Sequence, residues 1–191
     1  MKLFLIPVLS LVGFLSSGQQ NSCNLQKSKI INLTAVDKSD LLCIAKSSDK
    51  PNTVFYTLAS WCVPCIEHLP EALKLEKDYN TEVYVVLVEA EEDTRIKSAI
   101  KIVEKESQDA KMLVLKDSAY EGGVKKRNTT FVTEITPSQF EAIPDFSKFI
   151  VVNNQGEVVM VTNWKDYKKI DKKNLEDVRQ MLSHTVVPLL K

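Results

Sequence analysis

The chain has 191 residues, 44% of them hydrophobic, with 25 Lys+Arg balanced by 25 Asp+Glu. That balance leaves no basic field to draw nucleic acid or anionic lipid, so neither is an expected partner. The length suits one substantial hydrophobic core, and no internal repeat or low-complexity linker divides it.

Met1 to Gly18 reads as a targeting segment. Lys2 precedes a hydrophobic stretch from Leu3 to Leu15, and Ser16-Ser17-Gly18 offers the small residues a signal peptidase accepts. A signal peptide at 1–18 leaves a domain at 19–191. The apolar core is short for a membrane span and no later run is longer, so no span is expected in the mature chain. Two alternatives stand beside cleavage: retention of the segment as an anchor, or a lipid on Cys23. Gln20-Asn21-Ser22 fits the lipoprotein pattern poorly. Export, to a periplasm or beyond the cell, implies an oxidising compartment.

The elements then follow in order. Ile30-Ile31-Asn32-Leu33 reads as a short strand, and Asp37 or Ser39 caps a helix carrying Leu41, Leu42, Ile44 and Ala45. Cys43 in that helix reads as a small buried hydrophobe. It is also a candidate to join Cys23 in an oxidising compartment. After a polar break with Pro51, Val54 to Ala59 is an uninterrupted apolar run, as in a strand buried on both faces. A helix with Ile66, Leu69 and Leu73 on one face comes next. Val83–Val88 and Met112–Leu115 are further strands, separated by a helix over Thr94–Ser107. The charged runs Glu89–Asp93 and Lys125–Arg127 read as solvated loops. Phe149–Val152 and Val158–Val161 flank Asn153-Asn154-Gln155-Gly156, a hairpin signal. An amphipathic helix over Asn174–Leu190 closes the chain. Strands alternating with helices, then a hairpin and a helix, predict a mixed sheet covered on both faces.

The chemistry concentrates between the strand ending at Ala59 and the helix that follows it, where Cys62-Val63-Pro64-Cys65 stands. A thiol attacks only as its thiolate, and a free cysteine is mostly protonated near neutral pH. The first turn of a helix presents unpaired N–H groups and the positive end of the dipole, which favour the thiolate. The C-x-x-C spacing brings the second thiol round to the same side, where a disulfide closes without backbone distortion. Pro64 belongs in such a first turn, because its missing N–H costs little there. Zinc would need two further ligands, and Cys23, Cys43, His68 and His184 form no second C-x-x-C or H-x-x-x-H pair. A purely structural bridge over so short a loop constrains the unfolded chain very little. A peroxidatic setting, P-x-x-x-[ST]-x-x-C, does not occur at Cys62.

Ala59-Ser60-Trp61-Cys62-Val63-Pro64-Cys65, with Pro70 five residues on, resembles the thioredoxin superfamily and, within it, the extracytoplasmic TlpA-like thiol–disulfide oxidoreductases. The resemblance implies an α/β, thioredoxin-like fold, a central mixed β-sheet flanked by helices on both faces. It implies Cys62 as the exposed nucleophile, Cys65 as the resolving thiol and Trp61 packed beside them. It implies protein disulfides as substrates and an upstream thiol as electron donor, with no organic cofactor and no metal. The Val63-Pro64 insert resembles reducing members, so reduction is the expected direction.

Two departures qualify the likeness. The family carries a cis-proline just before the terminal hairpin. Counting back from Gly156 puts that position near Ser147, and the nearest proline, Pro144, is the candidate for it and for substrate binding. The family's buried acidic group before the motif falls at Tyr56. The acidic group that often stands three residues after the second cysteine is here His68, read either as a proton shuttle or as a surface histidine. Asp117–Phe149 exceeds the family's usual connection and is the candidate for partner selection. The alternative from another class is a binding module whose Cys62–Cys65 disulfide is static.

Overall fold

The computed structural model describes residues 23–170 and 177–191, so the signal peptide expected at 1–18 lies outside the described residues. Seven strands form one sheet: β1 (Gln26–Lys27), β2 (Thr34–Val36), β3 (Asn52–Leu58), β4 (Thr81–Leu87), β5 (Lys111–Leu115), β6 (Phe149–Asn153) and β7 (Val158–Val161). The helices are α1 (Lys38–Ser47), α2 (Val63–Asp78), α3 (Ile96–Glu106), α4 (Val124–Ile135), α5 (Trp164–Ile170) and α6 (Val178–Thr185). The strand order is β1-β2-β5-β4-β3-β6-β7. β3 runs parallel to β4 and antiparallel to β6, and β5 runs parallel to both β4 and β2. The sheet is therefore mixed, as expected.

The apolar run in β3 is explained by its central place: every residue from Thr53 to Leu58 is buried. α2 lies against β3 and β4 with α3 and α6 beside it, while α1 packs on β6 next to α4. Helices thus cover both faces, and β3 has no solvated side. Asp37 caps α1 reciprocally with Asp40, each side chain accepting the other's backbone N–H (3.1 and 2.9 Å). The β6–β7 hairpin turns at Gly156, whose φ of +77° suits glycine; a Cβ there would stand 2.2 Å from Lys46 Cε.

Several expectations are corrected. Ile30–Leu33 is not a strand but the turn between β1 and β2, closed by Ser28 N–H to the Leu33 carbonyl at 2.9 Å. The paired residues are the next three, because β5 selects Thr34–Val36. α4 stands where no element was expected. Its buried face is Val124, Arg127, Asn128, Phe131, Val132 and Ile135, a helical period in which two polar residues interrupt the apolar pattern. Arg127 and Glu89, both read as solvated, are fully buried. The closing helix is shorter than expected: α6 begins at Val178, and part of the segment before it lies outside the described residues.

Cys43 is half-buried and joined to Cys23 in a disulfide, with Cα atoms 5.8 Å apart, which ties the segment before β1 to α1. A lipid on Cys23 would need the same sulfur that this bond uses. Among the described residues no helix is long and apolar enough to cross a membrane.

Candidate redox site

β3 ends at Leu58, and the chain makes one tight turn before α2, with Cys62 N–H donating to the Ala59 carbonyl at 3.1 Å. Cys62 is the N-cap of α2, so its sulfur occupies the place where a capping oxygen normally stands. It accepts the Cys65 N–H at 3.2 Å. A sulfur so placed receives an orphan helix donor and the positive end of the dipole, the two features that stabilise a thiolate. Val63 and Pro64 complete the first turn, and the helix continues through Pro70.

Cys62 and Cys65 are joined as a disulfide, Cα atoms 5.2 Å apart. Their surroundings differ. Cys62 is 7% exposed and Cys65 not at all. Only Cys62 offers an edge to an incoming sulfur. Trp61, 49% exposed, packs edge-on against Phe146 with ring centroids 4.9 Å apart. With Val63 exposed beside it, this makes an apolar surface around Cys62.

Behind Cys65 lies a buried polar cluster. Tyr56 OH donates to the Cys65 carbonyl at 2.8 Å and lies 2.9 Å from Ser147 Oγ; Ser147 Oγ lies 2.9 Å from His68 Nδ1. Tyr167 OH stands 3.2 Å from the same nitrogen. The directions of these bonds follow from one fixed end. A carbonyl only accepts, so the Tyr56 proton points to Cys65; Ser147 then donates to Tyr56, and His68 Nδ1 carries the hydrogen directed at Ser147. Burial pushes the Tyr56 and Tyr167 phenols far above their ordinary range, so neither ionises near neutrality. His68, 6% exposed, is thus no surface histidine.

Pro144 does not take the role expected of it. It is exposed, its carbonyl accepts Asn128 Nδ2 at 3.1 Å, and no cis peptide bond occurs among the described residues. Ser147 meets the site instead, with φ of +63°, a backbone state proline cannot reach because its ring holds φ near about −65°. The Ser147 turn is held by its neighbour. Lys148 pairs by its backbone with Thr57, while its buried amine contacts the Asp145 carboxylate and the Thr162 carbonyl.

On the other side of the turn, Glu89 stands two residues past the end of β4. Its Oε1 accepts the Ser60 N–H at 2.6 Å. Burial raises its carboxyl above the ordinary range, against the opposing hydrogen bonds from Ser60.

Of the residues expected at the site, Trp61, Cys62, Pro64, Cys65 and His68 come together and Pro144 stays outside. Tyr167 and Glu89 were not foreseen, whereas Ser147 stands where counting back from the hairpin put the family's proline position. The available signal for Glu89 was its place immediately after six apolar residues, with no turn residue between. Tyr167 left no local signal, because it arrives from an element distant in the chain.

A C-x-x-C disulfide at the end of a central strand, with a helix behind it and an antiparallel hairpin beyond, defines a thioredoxin-like fold. No protein-family model matches the chain, and no curated protein matches it. Solved structures that resemble it include the thioredoxin domain of a thiol-disulfide oxidoreductase from Bacteroides vulgatus, at 19% identity and TM-score 0.41, covering 60% of this chain and 71% of that one. A thiol-disulfide oxidoreductase from Bacteroides fragilis is 15% identical, covering 61% and 77%, with TM-score 0.39. A thioredoxin-like protein from Aeropyrum pernix is 10% identical, covering 74% and 81%, with TM-score 0.45.

Proposed function

We propose that this chain is an exported, TlpA-like thiol–disulfide oxidoreductase that reduces disulfides in other exported proteins. The observation that carries the reading is the asymmetry of the pair: Cys62 caps α2 and reaches the surface, while Cys65 is sealed beneath it. In the reduced enzyme the Cys62 thiolate attacks a substrate disulfide, forming a mixed disulfide and releasing one substrate thiol. Cys65 then attacks Cys62, releasing the second thiol and leaving the Cys62–Cys65 bond. An upstream thiol donor returns the two electrons. The reducing direction rests on the likeness of the Val63-Pro64 insert to reducing family members. The apolar surface of Trp61, Val63 and Phe146 suits apolar side chains flanking a substrate cystine.

Equilibration of the mature chain with glutathione or dithiothreitol buffers, with Cys23 and Cys43 replaced by Ser, tests the reading. A potential near about −270 mV supports a reductase, and one near about −120 mV reverses it to a disulfide donor. A pair that stays oxidised below about −300 mV identifies a static bridge and the binding-module alternative. Cys65→Ser is expected to trap substrates on Cys62, and Cys62→Ser to abolish turnover.

A further inference from the structure

The turn that presents Cys62 is held from inside by one carboxyl group. Glu89 has no exposed surface, its Oε1 takes the Ser60 N–H at 2.6 Å, and its Oε2 has no hydrogen-bond partner among the described residues. Ser60 belongs to the turn closed by Cys62 N–H and the Ala59 carbonyl. Cys62 follows Ser60 by two residues, so its backbone nitrogen lies at most about 7 Å from the Ser60 N–H that Glu89 holds, less than a Debye length. A charge on Glu89 and a charge on Cys62 therefore sense each other.

We propose that Glu89 is a positioning residue that holds the Ser60–Cys62 turn and takes up the second proton when the Cys62–Cys65 disulfide is reduced. The inference rests on the redox reading above. Reduction by two thiols brings two electrons and two protons and releases one disulfide. One proton ends on Cys65 as its thiol. Cys62 remains a thiolate, and the other proton goes to Glu89. In balance, the disulfide with ionised Glu89 plus two R–SH becomes Cys62 thiolate, Cys65 thiol and protonated Glu89 plus R–S–S–R. Oxidation by a substrate disulfide runs the same balance in reverse.

The surroundings favour a neutral Glu89 once the thiolate forms. Arg127 of α4 lies close, but its guanidinium is taken by Asp117 at 2.8 Å and by the carbonyls of Val88, Leu115 and Tyr120. Arg95, before α3, is exposed and paired with Asp93 at 2.6 Å. Glu91 and Asp117, from the turns after β4 and β5, add negative charge. A thiolate adds more, so reduction pushes the Glu89 carboxyl further up. Tyr56 and Tyr167 do not compete for the proton, since burial keeps both phenols protonated.

The test uses the whole mature protein. The 13C shift of the Glu89 carboxyl is titrated in the oxidised and the dithiothreitol-reduced forms, and the reduced form is expected to release its proton about one pH unit higher. Glu89→Gln keeps an oxygen for the Ser60 amide but removes the proton site. In this variant the potential is expected to fall with pH at about half the wild-type slope, and Cys62 alkylation to begin about one pH unit lower. Equal Glu89 titration in both forms, or an unchanged slope in Glu89→Gln, overturns the proposal while leaving the oxidoreductase intact. A pair that never exchanges with glutathione overturns the oxidoreductase reading and this inference with it. The wild-type titration decides the matter even if Glu89→Gln fails to fold.

Discussion

Replacing Ser147 separates two opposed contributions at one residue. Its Oγ stands between Tyr56 OH and His68 Nδ1, 2.9 Å from each, in a buried setting. Its backbone holds φ at +63°. Removing the hydroxyl takes one neighbour from each group, although Tyr56 keeps the Cys65 carbonyl and Tyr167 remains beside His68. At about 1 kcal/mol for each net hydrogen bond, Ser147→Ala loses about 2 kcal/mol. Ser147→Gly loses the same bonds but relieves the left-handed conformation, which costs a residue with a Cβ about 1 kcal/mol. The expected order of stability is Ser, then Gly, then Ala. For a domain of this size the alanine variant should melt about 4–8 °C below wild type, with glycine about half as far down. Urea unfolding of the oxidised protein, followed by circular dichroism, measures both. Alanine equal to or above glycine would show that the turn holds no left-handed strain. Alanine within about 0.5 kcal/mol of wild type would show that the cluster behind Cys65 contributes nothing to stability.

Two further predictions concern regions away from the active pair. Replacing Cys23 and Cys43 together by Ser opens a bridge between residues 20 apart and should cost about 3 kcal/mol in chemical denaturation, without moving the Cys62–Cys65 potential. Asp37 is pushed up by partial desolvation, but hydrogen bonds from Lys116, Ser39 and the Asp40 amide outweigh this and hold its carboxyl at about 2, below the ordinary 3.8. A depressed carboxyl stabilises the fold above its unfolded value and loses that contribution as pH falls through the folded one. Asp37→Asn, which keeps a capping oxygen, should therefore be about 1 kcal/mol less stable at neutral pH. That difference should vanish as pH falls from about 4 towards 2, as urea unfolding across this range would measure.

The sequence determined by itself the parts whose physics is local. An unbroken apolar run marks a strand with no wet face, and β3 is that strand. A C-x-x-C with a proline between its cysteines marks a helix start that carries a disulfide, and Cys62 and Cys65 form it as N-cap and third helical residue. Asn153 to Gly156 marked the hairpin, since a turn needs a residue that tolerates positive φ. What stayed hidden depended on partners far along the chain. Charge alone read Glu89 and Arg127 as solvated, whereas packing of the Ser60 turn and α4 over the strand ends buries both. With Arg127 and Asn128 inside, the helical period of α4 no longer looked apolar. The proline expected beside the pair is replaced by Ser147, whose left-handed turn is set by Lys148, Asp145 and Thr162 acting together. His68 read as easily for a surface residue as for a shuttle, because on one helix nothing distinguishes an outward face from one covered by another element. Ser147 and Tyr167 cover it, and only the tertiary structure brings residues 79 and 99 positions away to the same nitrogen.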